Sequence, residues 1–206
     1  MATICLTLNP LKTQAFPSHM NNWCEQDGKT WIPVPYDDQT IDHSEGGDPN
    51  ESIQQGSDLL DTMITDNITG NTVWVIGHSK GCQVIGRWLI KYGAASGHST
   101  NDLKFVCSGN PVCSLSPGGP DPAQQYLMLP TSQGGFSVID IARERDGWAR
   151  WEEPNGNLFI TLRNWSGRCN YHPSAKYGDV HLNSVGVPTA YQSTSTVGTT
   201  TYYTVD

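Results

Sequence analysis

Apolar residues along the chain follow two different spacings, and together these predict alternating strands and helices. Continuous apolar or β-prone runs are typical of strands that are buried on both faces of a sheet. Such runs occur at residues 3–8, 72–77, 103–109 and 136–146. Strands that alternate with helices predict an α/β protein, in which a central, mainly parallel sheet is flanked by helices on both faces.

The helical spacing is clearest in two segments. Residues 48–67 begin with Asp48 as a possible cap, Pro49 in the first turn and Glu51 in a capping-box position. The predicted buried face of this helix consists of Ile53, Leu59, Leu60, Met63 and Ile64. The second helix follows the strand at 72–77, ends near Gly93, and buries Val84, Ile85, Trp88 and Leu89. Residues 154–165 predict a further short helix, and the prolines of residues 30–36 favour an edge strand.

Length and charge narrow the class of protein. A chain of 206 residues suits one domain spanning 1–206 with a single sizeable core. Its net charge of -8 would repel a nucleic-acid backbone, so we expect no nucleic-acid partner. The N-terminus lacks the basic start and apolar stretch of a signal peptide, and no apolar run is long enough to span a bilayer. We therefore expect a soluble protein that is synthesised in the cytoplasm and has no integral membrane segment.

The six cysteines predict neither a disulfide framework nor a metal site. Their spacing is irregular and contains no C-x-x-C pair. Cys5, Cys82 and Cys107 fall in predicted strands or helices, where buried free thiols behave as small hydrophobes. A Cys107–Cys113 bridge is the alternative, which a reducing compartment disfavours. We expect free thiols, no metal and no organic cofactor.

The junction between the third strand and the second helix carries the strongest chemical signal. Gly77-His78-Ser79-Lys80-Gly81 has the G-x-S-x-G pattern, with a buried strand before it and an amphipathic helix after it. In this strand–turn–helix context the serine is lifted above the sheet as a nucleophile, and the next residue's backbone N–H faces the oxyanion. The sequence thus predicts Ser79 as nucleophile and the Lys80 N–H as an oxyanion donor, with the Lys80 side chain in solvent.

A serine nucleophile needs a base, and the base needs an acid to orient it. Asp146 ends the strand-forming run at 136–146 and would face the site, whereas Asp140 alternates with buried residues and is better suited to a structural role. The base should follow the acid in the chain. Both His172 and His181 do, and position alone leaves the two open.

Five motifs in order resemble the PE-PPE domain of mycobacteria, a cutinase-like serine esterase with an α/β-hydrolase fold. They are WVIGHSKG, FVCSGNPV, VIDIARERDGWARW, YHPSAKYGDV and TTTYYTV, and the resemblance covers roughly residues 50–205. The chain is similar also to the lysin B esterases of mycobacteriophages, which cleave mycolic esters. The resemblance places the nucleophile on Ser79, the acid on Asp146 and the base on His172. It favours His172 over His181 because the family histidine is followed closely by a tyrosine, here Tyr177.

The chain departs from the family at two positions near the expected oxyanion hole. Lys80 stands where the family usually has glutamine, and LNPLKTQ replaces the family's Gly- and Thr-rich loop after the first strand. The second oxyanion donor is expected from this loop, at Leu11 or a neighbour. The missing signal peptide and the missing PE or PPE leader fit a phage-encoded or fused relative, acting on a cell envelope or carried by a phage particle.

The resemblance implies hydrolysis of carboxylic esters in lipids or cell envelopes, including mycolic esters, through an acyl-enzyme. Two alternatives stay open. The same triad could serve a thioesterase, acyltransferase or peptidase. The domain could also be a binding or virion module without catalysis, since its oxyanion loop departs from the family.

Overall fold

The computed structural model describes residues 1–10, 19–39, 49–112, 132, 134–144, 146, 149 and 177–206. Within them seven strands form one sheet in the order β2-β1-β3-β4-β5-β7-β6. All neighbouring pairs are parallel except β6 and β7. The strands are β1 Ala2–Leu8, β2 Thr30–Pro33, β3 Asn71–His78, β4 Leu103–Ser108, β5 Val138–Arg143, β6 Ser193–Val197 and β7 Thr200–Val205. This mainly parallel sheet confirms the predicted α/β class.

Both α-helices of the described residues lie where the apolar spacing predicts them. Helix α1 spans Pro49–Ile68 and helix α2 spans Lys80–Lys91. On α2 all four predicted core residues are buried, and Trp88 donates a hydrogen bond to Asp61 of α1 (3.0 Å). On α1 three of the five predicted core residues, Ile53, Leu60 and Ile64, are buried, while Leu59 and Met63 are partly buried against the same core.

The sheet is covered on both faces, in different ways. Helices α1 and α2 pack on one face, against side chains such as Leu6, Val75 and Phe105. A 3₁₀ segment, His19–Glu25, and residues 177–182 cover the opposite face, where Trp23 meets Trp74 edge to face at 5.2 Å. Alternate residues of the central strands β1, β3 and β4 therefore enter different cores, which explains why these strands read as continuous apolar runs.

Further predictions from the sequence concern the edge of the sheet, the cysteines and membrane-spanning helices. Strand β2 lies at the sheet edge, as its prolines indicated, and the C-terminal tail supplies β6 and β7. Cys5, Cys82 and Cys107 are buried, as expected, and Cys24 is buried too. Cys113, the other end of the alternative bridge, lies outside the described residues. No helix among the described residues has both the length and the apolar character needed to cross a membrane. The Asp48 cap and the predicted helix at 154–165 lie outside the described residues.

Candidate active site

Ser79 occupies a sharp turn between β3 and α2. Its backbone has φ 52° and ψ -114°, a region that residues with a side chain rarely adopt. The turn is fixed on both sides, because the Ser79 N–H donates to the Ser108 carbonyl (3.1 Å) and the Ser79 carbonyl accepts from the Cys82 N–H (2.9 Å). The strained residue is thus held at the carboxyl end of β3 and at the N-terminus of α2.

Two glycines allow this turn to be so tight. A Cβ atom on Gly77 would lie 2.8 Å from the Gly81 carbonyl carbon, and one on Gly81 would lie 2.4 Å from the Leu8 carbonyl oxygen. Both distances are far below van der Waals contact, and both contacts are to backbone. The turn around Ser79 therefore packs directly against the end of β1, where the loop after the first strand begins.

Asp146 lies just beyond the carboxyl end of β5. Its N–H donates to the Arg143 carbonyl (3.1 Å), so the chain makes a turn directly after β5. The residue is fully buried. Its carboxylate accepts hydrogen bonds from the Tyr177 hydroxyl (2.6 Å, to Oδ2) and from the Ala149 N–H (3.3 Å, to Oδ1). A buried carboxylate held in this way has a defined orientation.

Tyr177 is a residue that the sequence indicated only as a family marker. Its hydroxyl donates to Asp146 and accepts from the Arg143 N–H (3.1 Å), and its ring centroid lies 4.9 Å from that of His78. Burial, together with the neighbouring Asp146, raises the pKa of Tyr177 well above its ordinary value. The phenol therefore stays protonated and keeps donating to the carboxylate. Among the sequence signals, only its position after His172 singled it out.

Ser79 and Asp146 belong to the same edge of the sheet, with only β4 between their strands. Gly109, directly after β4, lies next to both His78, the neighbour of Ser79, and Asp146. A Cβ atom there would be 2.7 Å from His78 Cε1 and 3.2 Å from Asp146 Oδ2. The buried His78 ring also has its Nδ1 3.0 Å from Ser108 Oγ. One compact group of side chains therefore links the turn at Ser79 to the carboxylate of Asp146.

Asp140, the competing acid, points elsewhere. It lies within β5, is buried, and accepts a hydrogen bond from Asn110 Nδ2 (2.6 Å). Asn110 in turn accepts from the Val112 N–H (3.1 Å), so the pair shapes the chain after β4. These contacts fit the structural role expected of Asp140.

The remaining predicted site residues fall into two groups. His172 and Leu11 lie outside the described residues. His181 is exposed, and its Nδ1 lies 2.9 Å from Nδ2 of Asn21, in the segment that covers the sheet face opposite α1 and α2. Among the described residues, no group of three or more His, Cys, Asp or Glu side chains is arranged to hold a metal ion.

The prediction that the Lys80 side chain lies in solvent is wrong. Lys80 is only 5% exposed, and its Nζ donates to the Asp37 carbonyl (2.8 Å) while lying 5.7 Å from the centre of the Tyr36 ring. Burial lowers the pKa of this ammonium group, and the nearby Asp37 and Asp38 oppose the effect. The side chain lies inside the protein because a backbone carbonyl accepts its hydrogen bond there and an aromatic ring lies near its charge.

Comparison with known proteins places this geometry in context. The profile of the PE-PPE domain matches residues 29–206, a span that includes Ser79, Asp146 and Tyr177. The comparison with curated proteins gives no match. Among solved structures the chain is similar to a cutinase-like protein from Cryptococcus sp. (14% identity, TM-score 0.49, covering 86% of this chain and 95% of that one). It is also similar to the catalytic core domain of an acetyl xylan esterase from Trichoderma reesei (14%, 0.47, 86% and 97%) and to lysin B from Mycobacteriophage D29 (15%, 0.49, 81% and 73%).

Proposed function

The chain belongs to the PE-PPE domain family, and we propose that it is a serine hydrolase that cleaves carboxylic esters. One observation carries the proposal: a strained serine on a glycine-flanked strand–helix turn shares a sheet edge with a buried, hydrogen-bonded carboxylate. Backbone strain at a single non-glycine residue is uncommon and is concentrated at functional sites. The same turn in other hydrolases exposes a nucleophile.

In the proposed mechanism Ser79 Oγ attacks the carbonyl carbon of the ester while His172 takes its proton. Asp146 holds the imidazole in one tautomer and stabilises the imidazolium that forms. The carbon–oxygen bond to the alcohol then breaks, and His172 gives its proton to the departing alkoxide. Water, deprotonated by the same histidine, attacks the acyl-enzyme, and the carboxylic acid leaves with Ser79 regenerated. His181 is kept as the alternative base.

The negative charge that develops on the carbonyl oxygen needs donors that are already in place. The N-terminus of α2 supplies the first, the backbone N–H of Lys80, whose direction is set by the turn. The loop that begins after Asn9 supplies the second, at Leu11 or a neighbour. One such donor contributes about 3 kcal/mol to lowering the barrier. No metal or organic cofactor takes part.

For the substrate we propose an ester of a lipid or a cell envelope. In its most specific form, the proposal names a mycolic ester as the substrate. The enzyme would then act on a cell envelope or be carried by a phage particle. The support is the resemblance of the motifs around Ser79, Asp146 and His172 to the PE-PPE domain and to the lysin B esterases.

Hydrolysis of p-nitrophenyl esters with acetyl, octanoyl and palmitoyl chains tests the proposal, with matched thioesters and anilides alongside. We expect ester turnover that rises with one class of acyl chain and disappears in Ser79→Ala. Faster cleavage of thioesters, or acyl transfer to an added alcohol, would favour the alternatives that keep the triad. A folded protein without turnover of any of them would contradict the proposal and favour a binding module. An active Ser79→Ala variant would contradict the assignment of Ser79 as nucleophile.

A further inference from the structure

We propose that Lys80 is a positioning residue whose side chain fixes the start of the loop after β1. Its ammonium group holds residues 36–38 next to α2, and these residues in turn hold Asn9, where that loop begins. The inference rests on the proposed function in one respect, because it concerns the loop expected to carry the second oxyanion donor. The connection itself consists of described residues only.

The first link joins α2 to the chain after β2. Lys80 Nζ donates to the Asp37 carbonyl at 2.8 Å, and the charge lies near the face of Tyr36. A buried ammonium group costs folding free energy unless it is well paired, so an apolar side chain would fill the space of Lys80 at a lower cost in folding free energy. Its direct contact with a backbone carbonyl makes it well suited to holding a neighbouring segment in place.

The second link joins that segment to Asn9. The Tyr36 hydroxyl donates to the Asn9 carbonyl, and Asn9 Nδ2 donates to Asp38 Oδ2 at 3.0 Å. Just before it, the Val34 N–H donates to the Thr7 carbonyl at 2.9 Å and continues the parallel pairing of β1 and β2. Residues 34–38 therefore run along the end of β1 and bind the first residue beyond it at both backbone and side chain.

The third link is the direct contact between the serine turn and β1. Gly81 packs so closely on Leu8 that no side chain fits between them. The end of β1 is thus held from one side by the turn that carries Ser79 and from the other by residues 36–38. Lys80 connects these two supports, which fixes the position of Asn9, the first residue after β1, relative to the Lys80 N–H. Two oxyanion donors help only when both face the same oxygen.

Replacement of Lys80 by methionine tests the role, since it removes the ammonium group and keeps both the apolar stem and the backbone N–H. With p-nitrophenyl butyrate as the probe substrate, we expect kcat to fall by about tenfold or more, as for a weakened oxyanion donor, with KM nearly unchanged. Lys91→Met is the matched control, because Lys91 is on the same helix and pairs at the surface with Asp58. Its kcat should equal that of the native protein.

Two readouts separate positioning from stability. The melting temperature of Lys80→Met should stay close to that of the native protein, because removal of the buried charge offsets the hydrogen bond that the Asp37 carbonyl loses. Amide hydrogen exchange of residues 7–9, the last backbone N–H groups before Pro10, should become faster. Tyr36→Phe, which removes the hydrogen bond to Asn9 and keeps the ring that lies near Lys80, should lower kcat in the same way. The double variant should lose little more than either single one.

The outcomes distinguish this inference from the proposed function. Native-like kcat and native-like amide exchange at residues 7–9 in Lys80→Met would overturn the inference. A loss of kcat accompanied by a matching loss of melting temperature would also overturn it, because Lys80 would then be purely structural. The native protein could also cleave no ester while Lys80→Met still shows faster amide exchange. That result would support the positioning role and refute the proposed function.

Discussion

The hydrogen bond from Tyr177 to Asp146 offers a quantitative test of the acid's role, through Tyr177→Phe. This change removes one oxygen atom and keeps the ring that packs on His78. The carboxylate loses the hydrogen bond from the Tyr177 hydroxyl (2.6 Å), and the Arg143 N–H loses that hydroxyl as its acceptor (3.1 Å). A hydrogen bond to a charged group contributes about 1.5–3 kcal/mol to stability.

The same energy sets the expected loss of activity. If Asp146 no longer holds the base in its productive orientation, a loss of about 1.5–3 kcal/mol in the transition state lowers kcat/KM by about 10- to 150-fold. The loss should appear mainly in kcat, because Tyr177 is completely buried and does not contact substrate. The melting temperature should fall by about 3–12 °C, at 2–4 °C per kcal/mol for a domain of this size.

Steady-state ester hydrolysis and thermal unfolding by circular dichroism measure both effects. Tyr191→Phe is the matched control, since Tyr191 is 48% exposed and its ring packs on Tyr203, and it should change neither quantity. A Tyr177→Phe variant that unfolds earlier yet keeps native kcat/KM at a temperature where it is folded would refute the reasoning. Asp146 would then be a structural carboxylate.

Two further predictions concern the turn at Ser79. Gly81→Ala should destabilise the protein by about 1–3 kcal/mol in urea unfolding, because its Cβ would lie 2.4 Å from the Leu8 carbonyl oxygen and backbone must move; native stability would show that the turn and β1 are not in such close contact. Ser79→Gly should be more stable than Ser79→Ala by about 1 kcal/mol, because only glycine relieves the strain at φ 52° and ψ -114°. Equal stability of these two variants would show that the turn is unstrained.

The fold could be predicted because its signals are local. Apolar runs marked the buried strands, and the helical spacing of Val84, Ile85, Trp88 and Leu89 marked the buried face of α2, since burial on a helix repeats every three or four residues. Ser79 and Asp146 could be proposed for a related reason. The carboxyl ends of parallel strands meet at one edge of a sheet, so residues that follow such strands are brought together.

Contacts between distant segments could not be predicted. Lys80 read as a solvated charge because nothing near it in the chain indicates that a carbonyl 43 residues away accepts its hydrogen bond. Tyr177 reaches Asp146 across 31 residues. The left-handed backbone of Met20, Asn21 and Asn22 was also unexpected, since no glycine marks it. The structure indicates tertiary support instead, because the Asn21 N–H donates to the Gly178 carbonyl (2.9 Å).

The central claim is that Ser79 is an activated nucleophile, and reaction with a fluorophosphonate probe tests it most directly. Intact mass should show one label on the native protein, no label on Ser79→Ala or His172→Ala, and normal labelling of His181→Ala. Loss of labelling in His181→Ala with normal labelling of His172→Ala would transfer the role of base to His181. A folded native protein that takes no label, or a label that persists in Ser79→Ala, would contradict the account.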